Sequence, residues 1–571
     1  MRPPTTTGRT LRGLTVAGRE WMAAAAVPAR AGTVAVLALA ALSLGGGVPV
    51  AAAAGVARTP VAAAAGLPRA PVITFAKGAP GRPLPSGFVG LSLEYSAVPA
   101  YAGSATAVNP AVVQLIRNLA PGQTPVLRIG GDSTDQTWWP VAGVKPPGVI
   151  KYALTPAWMQ TTGAFAHALG ARLILGVNLA MNRPDLARTE AEAMLSGIGR
   201  SSIAEFEIGN EPDVYKLFPE YRNPRGVIEH VRGRGYDFGD YIEQFRAVRR
   251  VLPHVPIAGP ALGGKAWASN LGPFIASEPR LALITLHLYP LTCTSAAGTP
   301  FYPTIANLLS AAASTGLAAG ALAPEAVARA HRLAVRVDEI NSVTCGGRTG
   351  VSNTFASALW ALDTAFALDQ AGVSGINFHM FPGARYALFS VAGAPGSWSA
   401  VVNPEYYGLL MFAEAAPPGS RLVPVSSAPS GHVRVWATVA RGKTVRVVLI
   451  NESSSTRTLV LRAPAGARGP ASAELLQAPN LNATTGVSLG GQSFAPSTTT
   501  GVIGGTPVST PVAPVAGKYS VVLPGASAAM LTWTGVGGSA GRGGAAPAGG
   551  AARAGGAASA GGAAPAAGAA R

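Results

Sequence analysis

Residues 203–215 decide the fold, and they read IAEFEIGNEPDVY. Apolar and acidic side chains alternate as far as Ile208, which predicts a strand with two different faces. The run continues into Asn210, Glu211 and Pro212, and because proline donates no N–H, strand pairing stops there. The pattern therefore places the carboxylate of Glu211 at the C-terminal end of a strand. In a (β/α)8 barrel, that end of the strands carries the active site.

A second carboxylate lies at the end of another strand. Residues 333–342 read LAVRVDEINS, a largely apolar run that ends at Glu339. Two carboxylates on two strand ends can form the pair that hydrolyses a glycosidic bond. A single glutamate after a strand is also typical of a helix N-terminus or a surface charge. The second glutamate at a corresponding position favours catalysis.

Eight strand-like runs alternate with helix-length segments across residues 88–415. The runs cover residues 89–94, 126–129, 173–178, 203–211, 257–259, 283–287, 333–339 and 375–379. This alternation predicts βαβ units and a parallel sheet. Eight such units predict a closed (β/α)8 TIM barrel, so the fold class is α/β.

Short β-rich runs separated by turn residues fill residues 416–535 and predict an all-β sandwich. Residues 68–87 contain one more strand-like run, VITF at 72–75. We expect the sandwich to recruit this N-terminal strand, because it would otherwise remain an unpaired edge. Residues 536–571 are rich in glycine and alanine, carry no large apolar residue, and predict a disordered tail.

Residues 1–55 have the order of a secretory signal. Five arginines precede position 31, an apolar centre follows at 34–39, and small residues occupy 51–54. The alternative is a membrane anchor, since residues 31–57 carry no charge. The glycines at 45–47 and Pro49 make this segment a poor helix and favour a cleaved signal. The sequence therefore predicts a secreted protein, which would contact a membrane only if this segment is retained.

The chain has 571 residues and a net charge of +18. Such a charge attracts acidic polysaccharides, membranes or nucleic acids. No nucleic-acid module is present, and arginine-rich composition alone can produce part of the charge. Nucleic acid is therefore not among the predicted partners.

The two cysteines, Cys293 and Cys345, each follow a predicted strand end on the same face of the barrel. In an exported protein they can form one disulfide between two loops. Two free thiols are the alternative. Because the sequence shows no cluster of cysteine or histidine, it predicts neither a metal site nor a cofactor.

Several segments together resemble glycoside hydrolase family 79, the β-glucuronidase and heparanase family of clan A. The resemblance extends over about residues 70–535. The matching segments are LRIGGDSTDQTWW (127–139), FEIGNEPD (206–213), LHLYP (286–290), DEINSVTCGG (338–347), INFHMF (376–381) and PEYYGLLMF (404–412).

This resemblance implies a retaining glycosidase in which Glu211 is the acid/base and Glu339 the nucleophile. Asn210 would hydrogen-bond the 2-OH of the sugar, a contact that strengthens in the transition state. His287 and Tyr289, after the sixth strand, would contact the sugar or orient the nucleophile. Packing beneath the loop is the alternative for both.

Other residues at the barrel mouth carry open alternatives. Glu94 ends the first strand and either binds sugar hydroxyls or faces solvent. Arg128 either sets the charge state of a nearby carboxylate or forms a structural salt bridge. Asp338 is next to Glu339, and strand alternation predicts that it points away from the site and is structural.

The family resemblance also implies how a uronic acid would be recognised. The candidates are the Tyr386 hydroxyl and the backbone N–H groups of residues 344–347. Among these N–H groups, that of Gly346 is the predicted donor. Thr344 departs from the tyrosine found in some relatives, which leaves strict glucuronate specificity open. The predicted function is a β-glucuronidase-type hydrolase acting on carbohydrate. The alternatives are a clan A β-glycosidase of neutral sugars and a non-catalytic secreted polysaccharide-binding protein.

Overall fold

The computed structural model describes residues 72–534, except 78, 218, 223–224, 430, 441–443 and 466. The predicted signal within residues 1–55 and the predicted tail at 536–571 lie outside the described residues. Within the described part of the chain, no helix is both long and apolar enough to cross a membrane.

A single strand, β1 (Val72–Phe75), precedes eight parallel strands that close into a barrel. The last barrel strand pairs in parallel with the first, which completes the ring. The prediction of a (β/α)8 barrel is confirmed. The barrel strands are β2 (Val89–Glu94), β3 (Val126–Gly130), β4 (Arg172–Val177), β5 (Ile203–Ile208), β6 (Ile257–Leu262), β7 (Leu281–Leu288), β8 (Ala334–Ile340) and β9 (Gly375–Met380).

Helices surround the barrel, and several of them begin at a proline behind a capping side chain. Asn109 accepts hydrogen bonds at the start of one helix, and Thr155 does so at the next. The helices are α1 (Val98–Ala102), α2 (Pro110–Leu119), α3 (Pro156–Leu169), α4 (Pro184–Ile198), α5 (Phe238–Val251), α6 (Leu271–Ser277), α7 (Ile305–Leu308), α8 (Thr315–Ala319), α9 (Leu322–Ala330), α10 (Phe355–Ala371) and α11 (Pro404–Ala415).

The C-terminal strands form two packed sheets. They are β10 (Arg421–Leu422), β11 (Val425–Ser427), β12 (Val433–Val439), β13 (Val445–Asn451), β14 (Arg457–Leu461), β15 (Ala471–Gln477), β16 (Ser488–Leu489), β17 (Thr510–Val512), β18 (Tyr519–Leu523) and β19 (Ser527–Trp533). One sheet has the order β11-β1-β14-β18, and the other has the order β10-β12-β13-β19-β15-β16 with β17 paired to β15. Ile73 of β1 is fully buried in the core between the sheets. Recruitment of the N-terminal strand is thus confirmed.

Further pairs of short strands lie in the loops. They join Gly103–Ser104 to Ala107–Val108, Thr137–Trp138 to Tyr152–Ala153, Pro219–Arg222 to Ile228–His230, and Phe389–Ala392 to Ser399–Val402. The helix α11 ends beside the expected boundary between barrel and sandwich. The domain boundaries at 68–87, 88–415 and 416–535 stay a prediction.

Glu414, near the end of α11, makes stability depend on pH. Burial and then the Glu474 carboxylate raise the pKa of Glu414 to about 8, against the lowering effect of Arg446. The folded state therefore binds this proton more tightly than the unfolded chain, whose glutamates titrate near about 4.3. Its contribution to stability is full at low pH and is lost as the pH rises towards about 8.

We expect the thermal unfolding midpoint to fall by a few degrees as the pH rises over this range, with a smaller fall in Glu414→Gln, which cannot ionise. Differential scanning fluorimetry over a pH series measures both slopes. Glu192→Gln, at an exposed position of α4, is the matched control and should keep the wild-type slope. Equal slopes in the Glu414 variant and the wild type would contradict the assignment.

Candidate active site

The carboxylate of Glu211 is positioned by a tight turn directly after β5. The strand ends at Ile208 rather than at the expected Glu211, because the backbone turns at Gly209 with φ 81° and at Glu211 with φ 49°. A left-handed conformation in a non-glycine residue is strained and is typical of functional positions. The N–H of Glu211 donates to the carbonyl of Ala261 at 2.9 Å. At Gly263, a Cβ would lie only 2.4 Å from the carboxyl carbon of Glu211, so a side chain there would displace this group.

Asp135 holds this turn from beneath. Its Oδ2 accepts from the Asn210 N–H at 3.0 Å and from the Tyr215 hydroxyl at 2.5 Å. Its Oδ1 accepts from the N–H groups of Leu179 and Ala180 at 3.0 and 3.1 Å. Burial raises the pKa of Asp135, while these hydrogen bonds act in the opposite direction. Asp135 thus ties the turn after β4 to the turn that presents Glu211.

Glu339 lies at the end of β8 and is held as a carboxylate. Its Oε1 accepts from the Tyr289 hydroxyl at 2.8 Å, and its Oε2 accepts from Arg128 Nη1 at 2.5 Å. Burial alone would raise the pKa of Glu339. The rings of His379 and His287, the Arg128 guanidinium and the Tyr289 hydroxyl outweigh burial and hold that pKa well below its usual range. Glu339 therefore stays ionised across the acidic and neutral range.

The two glutamates converge at the same end of the barrel. An oxygen of Glu211, a nitrogen of His287 and an oxygen of Glu339 all lie within 4.8 Å of one another. His287 Nδ1 is 2.9 Å from Glu211 Oε1 and 3.9 Å from Glu339 Oε2. Carboxyl groups about 5–5.5 Å apart are typical of retaining glycosidases, whereas inverting enzymes need at least about 6.5 Å. The geometry is that of a retaining pair.

Arg128 orients two further side chains at the mouth. Its Nη2 donates to Asn210 Oδ1 at 2.8 Å, which turns the NH2 group of the Asn210 amide outward. This NH2 group has no acceptor among the described residues. Arg128 Nη2 is also 3.4 Å from His287 Nε2. Because a guanidinium only donates, Nε2 accepts, and the His287 proton is assigned to Nδ1, which donates to Glu211.

The side chain of Asp338 points into the site, and the prediction that it points away is wrong. The register between β7 and β8 jumps from Val337 to Glu339, so Asp338 occupies a bulge. A bulge interrupts the alternation of side chains along a strand. Asp338 Oδ2 lies 3.7 Å from Arg128 Nε, and Oδ1 lies 3.7 Å from His287 Nε2. Adjacent residues of one strand thus reach the same guanidinium.

A third carboxylate, Glu207, completes the layer beneath the site. Glu207 Oε2 accepts from Arg128 Nε at 2.9 Å. Burial and then the charge of Glu207 raise the pKa of Asp338 well above its usual range. Burial acts most strongly and would raise the pKa of Glu207, but Arg128 together with Asp338, His287 and Thr285 outweighs it, and the net direction is down. These opposite directions favour a proton on Asp338 rather than on Glu207, beside the guanidinium that both side chains approach.

Asp338→Asn tests this protonation state. Asparagine has the shape and the donor of a protonated aspartate, so we expect kcat/KM to change by no more than about threefold. Asp338→Leu leaves a charged Glu207 oxygen without that donor, and should lower the free energy of unfolding by about 1–3 kcal/mol. Kinetics and urea unfolding measure both effects. A large loss of activity in Asp338→Asn would show that an ionised Asp338 is required.

Glu94, expected to bind sugar hydroxyls or face solvent, lines the cleft beside His379. Its Oε1 lies 3.2 Å from His379 Nε2, and its Oε2 accepts from the Ser133 N–H at 2.9 Å. His379 Nδ1 is 3.0 Å from the Ser92 hydroxyl. Burial lowers the pKa of His379, but Glu339 and Glu94 outweigh it and the net direction is up. The carboxylates of Glu339 and Glu94 thus favour the protonated form of His379.

The two groups expected to bind a uronate carboxylate lie next to this centre. The Tyr386 ring is 6.5 Å from the Tyr289 ring and 6.2 Å from the His379 ring. Gly346 has φ 80°, and its carbonyl accepts from the Arg385 N–H at 2.6 Å. The Gly346 N–H has no acceptor among the described residues. Tyr386 is buried against the rings that surround Glu339, and whether either group meets a substrate stays a prediction.

The cysteine pairing is confirmed. Cys293 and Cys345 form a disulfide that joins the loop after β7 to the loop after β8. Thr344 Oγ1 accepts from the Cys293 N–H at 3.1 Å and donates to Thr292 Oγ1 at 3.1 Å. The Thr344 hydroxyl therefore links the two loops through hydrogen bonds and is not available to bind a ligand in the cleft.

Two groups of side chains are close enough to share a divalent cation. They are Glu207, His287 and Asp338, and Glu211, His287 and Glu339. Arg128 pairs with Glu207 and Asp338 in the first group and with Glu339 in the second. Its fixed positive charge opposes a second cation there. The expectation that no metal binds stays a prediction.

Comparison with known proteins supplies both sequence and fold relatives. The model of the glycosyl hydrolase family 79 C-terminal beta domain matches residues 435–530. A β-glucuronidase of Neurospora crassa is 24% identical over 448 residues, covering 68% of this chain and 75% of that protein. A β-glucuronidase of Aspergillus niger is 24% identical over 477 residues, covering 71% of this chain and 82% of that protein.

Solved structures share the architecture. A 4-O-α-L-rhamnosyl-β-D-glucuronidase from Fusarium oxysporum 12S matches with a TM-score of 0.61 and 20% identity, covering 80% of this chain and 100% of that chain. A family 51 arabinofuranosidase from Xanthomonas axonopodis pv. citri matches with a TM-score of 0.58 and 16% identity, covering 81% of this chain and 99% of that chain. At these identities the likeness is one of fold, and it agrees with the barrel and C-terminal β domain described above.

Proposed function

We propose that the chain is a retaining β-glucuronidase-type glycoside hydrolase of family 79, whose C-terminal domain model matches residues 435–530. The observation that carries the proposal is the pair of carboxylates, Glu211 and Glu339, whose oxygens lie within 4.8 Å of each other at the barrel mouth. The names of the Neurospora crassa and Aspergillus niger relatives support β-glucuronides as the substrate class.

In the first step Glu339 attacks the anomeric carbon while Glu211 protonates the departing glycosidic oxygen. The C–O bond to the aglycone breaks, and an ester bond forms between the sugar and Glu339. In the second step Glu211 takes a proton from water, whose oxygen attacks the anomeric carbon and releases Glu339. The contacts of Glu339 with Arg128 and Tyr289 keep the nucleophile ionised and aimed.

Four further residues have proposed roles in binding, and a fifth supports the acid/base. The outward NH2 of Asn210 donates to the oxygen of the sugar 2-OH, and Arg128 fixes its orientation. The Tyr386 hydroxyl and the Gly346 N–H donate to the glucuronate carboxylate. Glu94 accepts from sugar hydroxyls, while His287 steadies Glu211.

A panel of aryl glycosides tests the substrate class. We expect an aryl β-glucuronide to be hydrolysed with a kcat/KM at least about 100-fold above that of the matching β-glucoside, because buried donors left without the carboxylate cost about 2–3 kcal/mol. Proton NMR of the first product should show the β-anomer. Turnover of a neutral glycoside with an inert glucuronide would replace the proposal by a neutral-sugar specificity. Inert substrates throughout would favour a non-catalytic binding protein.

Export is the other part of the proposal. A disulfide between two surface loops is stable in an oxidising compartment. It supports the secretory signal predicted within residues 1–55. Expression of the full chain in its host, followed by N-terminal sequencing of the protein in the medium, tests whether this segment is removed.

A further inference from the structure

Two loops at the end of the barrel that holds the catalytic pair carry an exposed aromatic ring, Phe301, and an exposed guanidinium, Arg348. Phe301 is 61% exposed, although large apolar side chains are usually buried. Its neighbour Tyr302 lies beneath Arg348, whose guanidinium carbon is 4.8 Å from the centre of the tyrosine ring. Arg348 Nη2 also donates to the Tyr302 hydroxyl at 2.9 Å. We call Phe301, Tyr302 and Arg348 the rim patch.

The rim patch is braced by the loops that carry it. The Cys293–Cys345 disulfide joins its two segments, and the Thr292 N–H donates to the Phe301 carbonyl at 3.0 Å. The Arg348 N–H donates to the Ser352 hydroxyl at 2.9 Å. A braced surface loses little conformational freedom when a ligand binds, which favours affinity.

Contacts connect the rim patch to the catalytic pair. A Cβ at Gly347, the residue before Arg348, would lie 3.0 Å from Cδ1 of Tyr386. Tyr386 packs beside Tyr289, whose hydroxyl donates to Glu339. The two loops of the patch also leave β7 and β8 at the end that carries the nucleophile. The rim patch therefore borders the cleft in which the glycosidic bond is cleaved.

The charge of Arg348 is not matched by a carboxylate. Other exposed arginines, including Arg183 and Arg329, form ion pairs with acidic residues close to them in the chain. Among the described residues, Arg348 has only an aromatic ring and a hydroxyl as side-chain partners. A guanidinium fixed in this way keeps N–H groups available for a bidentate contact with an anion.

We propose that the rim patch binds an acidic sugar unit of the glycan substrate, next to the unit that is cleaved. The Phe301 ring packs against the apolar face of that sugar, and the Arg348 guanidinium binds its carboxylate or sulfate group. This inference rests on the proposed function, since it assumes that a glycan occupies the adjoining cleft. It assigns specificity for acidic oligosaccharides to a surface that a small aryl glucuronide does not reach.

Competition kinetics test the assignment. An aryl β-glucuronide reports activity, and the competitor is a sulfated chondroitin tetrasaccharide with β-glucuronate at its non-reducing end. We expect Arg348→Gln and Phe301→Ala each to raise the inhibition constant of the tetrasaccharide about tenfold. The kcat and KM for the aryl glucuronide should stay at wild-type values. Arg348→Lys should have an intermediate effect, and Arg188→Gln, on the exposed face of α4, is the charge-matched control.

The outcomes separate this inference from the proposed function. Unchanged inhibition constants in both rim variants, or no competition by the tetrasaccharide, would overturn the rim patch. An effect confined to the sulfated tetrasaccharide assigns Arg348 to the sulfate of the hexosamine next to the cleaved glucuronate. An equal effect with the unsulfated tetrasaccharide, whose neighbouring hexosamine is neutral, would overturn that placement and assign Arg348 to the carboxylate of the second glucuronate. If the wild type does not hydrolyse the aryl glucuronide, the proposed function fails, and calorimetric titration of the tetrasaccharide then tests the patch alone.

Discussion

Replacement of Glu339 by alanine is expected to lower kcat on an aryl β-glucuronide by roughly 10⁴–10⁶-fold, because the covalent intermediate can no longer form. The carboxylate has a hydroxyl and a guanidinium aimed at it, and neither of these donors can replace it as a nucleophile. The cavity left by the side chain can admit azide. Azide would then attack the anomeric carbon from the face that Glu339 uses and restore turnover, with an α-glucuronosyl azide as product.

Glu339→Gln is the matched control for this experiment. Glutamine removes the charge but fills the volume, so azide should not rescue it. Circular dichroism confirms that both variants fold. A wild-type rate in Glu339→Ala, or a rescued product with β configuration, would assign the nucleophile to another residue.

The fold could be predicted from the sequence because its signals are local. Each barrel strand is a run of apolar residues between helix-length segments, and each predicted run overlaps a strand of the structure. The burial of β1 in the sandwich also followed from local reasoning, since one isolated strand leaves an unpaired edge. The convergence of Glu211 and Glu339 followed from the same rule, because parallel strands bring their C-terminal ends to one face.

The layer beneath the catalytic pair could not be predicted in this way. Strict alternation places Asp338 on the far side of β8, and the bulge that reverses it is a property of pairing with β7. The approach of Asp338 and Glu207 to the same guanidinium depends on two strands that do not neighbour each other in the barrel. The sequence left two roles open for Arg128, a structural salt bridge and control of the charge of a nearby carboxylate. Its ion pairs with Glu207 and Glu339 fit both roles.

Positioning residues were missed for a related reason. Asp135 and His379 both lie in segments that match the family pattern, at 127–139 and 376–381. Neither carries a motif that marks it as functional. Asp135 is identified by four hydrogen bonds to groups distant in the chain, and His379 by its approach to Glu94 and Glu339. Only the closed barrel brings those partners together.

Glu211→Gln is expected to have an effect that depends on the leaving group. A β-glucuronide with an aliphatic aglycone needs full protonation of its departing oxygen, so its kcat/KM should fall by about 10³–10⁴-fold. A dinitrophenyl glucuronide departs as a stable anion, and its loss should stay within about tenfold, because proton donation contributes little there. The hydrogen bond from His287 to the residue at this position can persist in the variant, since glutamine keeps one carbonyl oxygen.

The product formed with azide separates the roles of the two glutamates. In Glu211→Gln the nucleophile is intact, so azide should intercept the glycosyl-enzyme from the opposite face and give a β-glucuronosyl azide. The Glu339 variant should give the α-anomer, and the two products therefore report on which face of the sugar each carboxylate occupies. Equal losses for both leaving groups in Glu211→Gln would show that this residue does not donate the proton. A common azide anomer from both variants would contradict an arrangement in which two carboxylates converge within 4.8 Å on opposite faces of one sugar.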